Sequence, residues 1–127
     1  MSISQSRKDA EPAFQASDPE TVAAATRYVV LHRPGPAWNE ALGPTEQPGV
    51  GAHIGYLHMC AERGDIALSG PFLSHMQGGM IILRNGLSAG QAEAICRDDP
   101  AVRSGLVTFE IRPWLITFDS MSKGNSI

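Results

Sequence analysis

The sequence contains no apolar run close to the roughly 20 residues that a membrane-spanning helix requires. It also lacks an excess of positive charge. Ten Lys and Arg against 13 Asp and Glu leave a formal net charge of −3. A phosphate backbone is neutralised by a basic stripe, so neither nucleic acid nor membrane is an expected partner. Cysteine is scarce: Cys60 and Cys96 show no CxxC or metal-like spacing, and both fall on helix-like patterns. They read as buried thiols in a reducing cytoplasm. The polar stretch 1–15 lacks the apolar segment of a secretory signal, which also points to a cytoplasmic protein. GxSxG, Walker and dinucleotide-binding patterns are missing, as is HExxH, and Gly78-Gly79 is too short to cradle phosphates. No cofactor and no metal are expected.

What is present suits one domain. The chain has 127 residues, of which 43% are hydrophobic and 18% charged, an ordinary globular balance. A core of that size is modest. Residues 1–26 mix polar residues with two prolines and a short Ala run, and are expected to be a flexible tail with a helical turn near Glu20 to Ala25. The domain proper spans 27–118, and 119–127 forms a polar C-terminal tail.

Residues 27–33 (RYVVLHR) are rich in β-formers and predict the first strand. Prolines and glycines then crowd residues 34–51, which predicts a long loop of the kind that is usually functional or mobile. Trp38 within it is either a lid residue or an anchor that packs the loop down. Ile54, Leu57, His58 and Ala61 recur at helical spacing, predicting a helix over about 50–63 that ends before Gly64. Residues 65–69 (DIALS) read as a short strand closed by Gly70-Pro71. Residues 80–84 (MIILR) read as a third strand after a Gly78-Gly79 turn. Ser88 and Gln91 form a capping box that opens a second helix with Ala89, Ala92, Ile95 and Cys96 on one face. Asp98-Asp99-Pro100 ends it. Val107, Phe109 and Ile111 alternate with polar residues in a fourth strand, and residues 114–118 extend or re-pair after Pro113.

The order β-α-β-β-α-β is the ferredoxin-like α+β unit. With both helices on one face, the other sheet face is left apolar and uncovered, which argues for a homodimer closed by a partner sheet.

Among the four histidines, His53 lies early in the first helix beside Ile54 and faces the rim between helix and sheet. Its neutral-range pKa suits proton transfer, although a lone histidine there also suits a structural role. His58 lies about 140° around the helix from His53, too far for both to share one metal ion. His32 and His75 read as surface or packing residues. Asp99 before a proline is an ordinary turn initiator. A carboxylate that accepts from a histidine, however, fixes its tautomer and raises its basicity. Spacing alone does not bring Asp99 to His53.

Several features together resemble the YCII-like family: His53, the run Glu62-Arg63-Gly64-Asp65-Ile66-Ala67-Leu68-Ser69-Gly70-Pro71, then Asp99-Pro100-Ala101-Val102, Gly105 and Arg112-Pro113-Trp114. The resemblance covers most of the chain. It implies a dimeric α/β barrel, in which two ferredoxin-like units pack through antiparallel sheets. It also places the family's proposed catalytic His–Asp pair on His53 and Asp99. Two features depart from the family pattern. Ala101 stands where an aromatic residue often follows Asp-Pro, and the Pro/Gly-rich insertion after the first strand is unusually long.

Residues and resemblance together point to a cofactor-independent enzyme acting on a small organic molecule, a lyase or isomerase in which Asp99 orients His53 as general acid/base. Ser69, Tyr56 and Trp38 are candidate substrate contacts. The alternatives are a non-catalytic dimeric binding or interaction module and a structural dimer with a vestigial pocket.

Overall fold

A computed structural model describes residues 18–74 and 77–121. A short helix α1 (Pro19–Ala24) precedes the domain. Asp18 caps it through its carboxylate, which accepts from the Glu20 N–H at 3.0 Å, and Pro19 supplies the preset φ of a first helical position. This helix lies within the segment expected to be a tail. The remainder of that segment, residues 1–17, lies outside the described residues, as do His75 and residues 122–127 of the C-terminal tail.

Strands β1 (Thr26–Pro34), β2 (Ile66–Pro71), β3 (Gly79–Leu83) and β4 (Val107–Leu115) form one antiparallel sheet in the order β2-β3-β1-β4. Helix α2 (Val50–Glu62) connects β1 to β2, while α3 (Ala89–Arg97) and α4 (Pro100–Arg103) connect β3 to β4. This is the expected ferredoxin-like arrangement.

Two strands run further than the sequence suggests. Gly70-Pro71 does not close β2, because Pro71 still pairs with Gly79. Pro113 does not interrupt β4. Both are edge strands, where a residue without an N–H is tolerated on the unpaired side.

The core lies between the sheet and the helices. Val30, Ile81 and Leu83 from the strands meet Ala92 and Cys96 from α3, with Tyr28, Leu57, Ile66, Ile95, Phe109 and Ile111 packed around them. The Ser88 hydroxyl accepts from the Gln91 N–H, and the Gln91 carboxamide accepts from the Ser88 N–H, the reciprocal cap its spacing promises.

Helix α2 corrects the expected apolar face. Ile54 is 57% exposed, and His58 and Ala61 also face outward. The inward side carries His53, Tyr56, Leu57 and Cys60, of which Cys60 is fully buried. The apolar residues of this helix are spread around its circumference, so tertiary packing, not periodicity, decides which side turns inward. Gly64 adopts a φ of 84° just past its end, which reverses the chain into β2 at little steric cost.

On the opposite sheet face stand Val29, Leu31, Leu68, Met80, Ile82 and Trp114, placed there by the strand register. Leu68 remains 53% and Trp114 47% exposed.

Candidate active site

The two ends of the site come from segments far apart in the chain. α2 begins at Gly49, whose φ of 91° suits glycine, and His53 stands just past its first turn. α3 ends at Asp98, and Asp99 takes extended geometry before Pro100, as a residue preceding proline should. Instead of merely stopping a helix, Asp99 starts α4. One carboxylate oxygen accepts from the Ala101 N–H at 2.9 Å. The other lies 2.7 Å from His53 Nδ1. Asp99 is 1% exposed and His53 half-buried.

An ionised Asp99 selects which ring nitrogen carries the proton. A carboxylate offers only acceptors, so Nδ1–H of His53 donates to Asp99. Nε2 is then the nitrogen left to take up or release a proton. The N-cap bond and Pro100 fix the carboxylate, and the carboxylate fixes the ring.

The long loop after β1 is tied down at several points. Gly35 N–H donates to the Leu106 carbonyl at 2.8 Å and Ala37 N–H to the Gly105 carbonyl at 2.9 Å. A Cβ on Gly35 would lie 2.2 Å from the Gly105 oxygen, so only glycine permits this approach. Gln47 is buried and organises the rest. Its amide group donates to the carbonyls of Asn39 and Leu42, and its oxygen accepts from the Asn39 N–H. Trp38 packs against the buried cluster of Ala101, Leu106 and Val107, with Val50 and Val102. Of the two roles weighed for Trp38, this is the packing one. The two family departures therefore meet in space: the inserted loop brings an aromatic ring to the cluster that contains the small residue after Asp-Pro.

Among the described residues, no hydrogen bond or ring contact joins Tyr56 or Ser69 to His53 or Asp99. Tyr56 donates its hydroxyl to the Ile95 carbonyl at 2.7 Å and lines a cleft of about 280 Å³ with Arg63, Asp65, Arg84, Gln91 and Asp98. Burial pushes its phenol pKa upward, with Cys60 adding to the effect. Ser69 is exposed on edge strand β2, where pairing with Ile81 places it on the helix-bearing face. His58 is exposed beside Glu62. Cys60 and Cys96 are buried free thiols; burial raises both, Cys96 to about 12.

A second cleft, near α1, is lined by Glu20, Arg27 and Asn85 among others. Neither cleft includes His53 or Asp99 in its lining. Among the described residues, no group of three or more His, Cys, Asp or Glu is placed to hold a metal ion. Nor is any helix there long and apolar enough to cross a membrane.

His32 is the residue that sequence reading underrated. It is 6% exposed, and its ring meets that of His53 edge-to-face, with centroids 5.4 Å apart and planes inclined by 75°. The signal lay in strand alternation: His32 shares a face with Val30, and that face is the core side.

Comparisons with known proteins agree with this architecture. No curated protein matches the chain. Among solved structures, it resembles 5-chloro-2-hydroxyhydroquinone dehydrochlorinase (TftG) from Burkholderia phenoliruptrix AC1100, in complex with 2,5-dihydroxybenzoquinone. The TM-score is 0.51 and the identity 19%, covering 68% of this chain and 92% of that one, a likeness of fold. The model of the YCII-related domain matches residues 26–115, which include both His53 and Asp99. The chain belongs to the family of YCII-related domains.

Proposed function

We propose that His53 and Asp99 form a general acid/base pair acting on a small organic molecule, in an elimination or isomerisation that needs no cofactor. The observation that carries this reading is the 2.7 Å contact between His53 Nδ1 and a buried carboxylate whose other oxygen is held by a backbone N–H. Asp99 orients the ring and stabilises the imidazolium that forms when Nε2 takes a proton; His53 then returns that proton to the product or leaving group. A positioned acid/base of this type contributes about 10²- to 10⁴-fold. The fold likeness to a dehydrochlorinase supports a small-molecule enzyme, and hydroxylated aromatics or quinones are the first substrate class to test.

Ser69 and Trp38 are proposed to bound the substrate, and Tyr56 to shape the far side of α2. We also assign a homodimer, closed over the open sheet face. Leu68, Met80, Ile82 and Trp114 would there be removed from water, and the exposed Arg33–Glu110 pair would lie at the margin. A cytoplasmic setting agrees with the two unpaired, buried thiols.

The test compares wild type with His53→Ala on a panel of chlorinated hydroxyhydroquinones and small enolisable lactones, reading chloride release and ultraviolet spectra. The proposal expects turnover of at least one compound by wild type. It expects loss of that turnover in His53→Ala, with the sedimentation behaviour of the dimer retained. Equal turnover by the variant would remove the acid/base assignment and leave a binding module.

A further inference from the structure

Three titratable side chains meet at this site, and the mechanism above employs two. We propose that His32 is a second catalytic histidine, an imidazole that hydrogen-bonds the substrate oxygen on which negative charge collects while His53 moves the proton. This deepens the His53–Asp99 reading and rests on it.

The geometry carries the assignment. β1, one of the two central strands, bears His32, and the ring projects onto the helix-covered face, where it stands edge-to-face with His53 at 5.4 Å. Its cross-strand neighbours are Gly79 on β3 and Phe109 on β4. Gly79 has no side chain to cover the imidazole from that side. No described residue hydrogen-bonds the ring, yet no fully buried polar side-chain atom is without a partner, so the ring nitrogens keep access to the space around the site. A nearly buried imidazole with unused hydrogen-bonding capacity, beside a proton-transfer residue, is placed for a ligand.

The chemical environment separates the two rings. Burial holds the His32 pKa below the usual histidine range, and the charge of His53 lowers it further, while Asp99 opposes. These are the charged groups that face it: His53 from α2 and Asp99 from the α3–α4 turn. Gly79 and Phe109 carry no charge. Burial thus favours the neutral form of His32, and a neutral imidazole offers one N–H donor. Such a donor suits an enolate or phenolate oxygen. Carboxylates and phosphates are matched instead by a guanidinium or ammonium group.

The step balances without a co-reactant. His53 Nε2 removes a proton from substrate and the electron pair left behind delocalises onto the oxygen held by His32. The pair then returns from that oxygen, either to take the proton back from His53 at another carbon (isomerisation) or to expel the leaving group, with His53 releasing its proton to that group or to water (elimination).

The experiment is an NMR pH titration of the histidine side chains in the ¹⁵N-labelled full-length protein: wild type, His53→Gln and Asp99→Asn. The inference expects His32 to protonate below the ordinary value of about 6.5 in wild type and to shift upward in His53→Gln, where the neighbouring titratable ring is gone. An unchanged His32 titration in His53→Gln overturns it, even if Asp99→Asn still alters His53. If instead Asp99→Asn leaves His53 unaltered, the His53–Asp99 reading fails and takes the inference with it.

A second arm measures binding of 2,5-dihydroxybenzoquinone. His32→Leu, which keeps apolar volume and loses the donor, is expected to weaken binding about 10-fold or more, with His32→Asn retaining most of it. Equal binding by wild type and His32→Leu, or no saturable binding by wild type, overturns the assignment of an oxygen ligand to His32. Since His53→Gln leaves β1 unaltered, the titration arm stands if His32→Leu does not fold.

Discussion

Helices α2 and α3 occupy equivalent places in the two halves of the fold, yet they are held in opposite ways. α3 is supported from within: a reciprocal Ser88–Gln91 cap, buried Ala92 and Cys96, and a Glu93–Arg97 pair one turn apart. α2 begins at a glycine without a side-chain cap, contains two further glycines, and leaves Ile54 and Met59 in solvent. Its start is held from outside by His53 on Asp99, Val50 in the Trp38–Ala101 cluster, and the Gln47-organised loop that delivers it. The helix that carries the proposed acid/base thus depends on tertiary contacts for its order. This difference teaches that Asp99 has a structural duty beside its proposed chemical one.

The largest break in the comparison should come from Asp99→Ala. It removes the cap of α4 and leaves the His53 Nδ1–H without its acceptor, costing about 2–4 kcal/mol together. Asp99→Asn keeps a capping oxygen and should cost about 1–2 kcal/mol while still lowering turnover, a split that urea unfolding and rate measurements would resolve. Gln47→Ala comes next. It leaves the carbonyls of Asn39 and Leu42 without their donor, and about 1–3 kcal/mol is expected, with hydrogen exchange accelerating at residues 50–53 before it does in α3.

Ser88→Ala is the matched lesion in α3. It should cost about 1 kcal/mol and leave the His53 resonances unmoved, since α3 would lose only its own local support. The smallest effect has the opposite sign. Gly55 lies inside α2 with nothing within 4 Å of where a Cβ would stand, so Gly55→Ala should stabilise by about 0.5–1 kcal/mol, read as a raised Tm.

How much was legible in the sequence follows the same division. The capping box, the alternation in β4 and the Gly64 stop are local signals, and each fixed its element because the physics behind it acts within a few residues. The inward face of α2 was not legible: Ile54 and Ala61 look as apolar as Leu57, and only packing against the sheet separates them. α4 went unseen because four residues carry no periodicity, although Asp99-Pro100 reads equally well as a helix stop and as a cap followed by Pro at the first helical position. The meeting of His53 with Asp99 spans 46 residues and could be named only from the family resemblance. His32 was recoverable from strand alternation, but a histidine at a strand end resembles a surface residue until the helix above it is placed.

The hydrogen bond between His53 and Asp99 is most directly tested by the ¹⁵N shifts of the His53 imidazole at a pH where the ring is neutral. The account predicts a single tautomer with the proton on Nδ1 and Nε2 bare, and loss of that preference in Asp99→Asn. An Nε2–H tautomer, or a rapidly averaged mixture of the two in wild type, would contradict it.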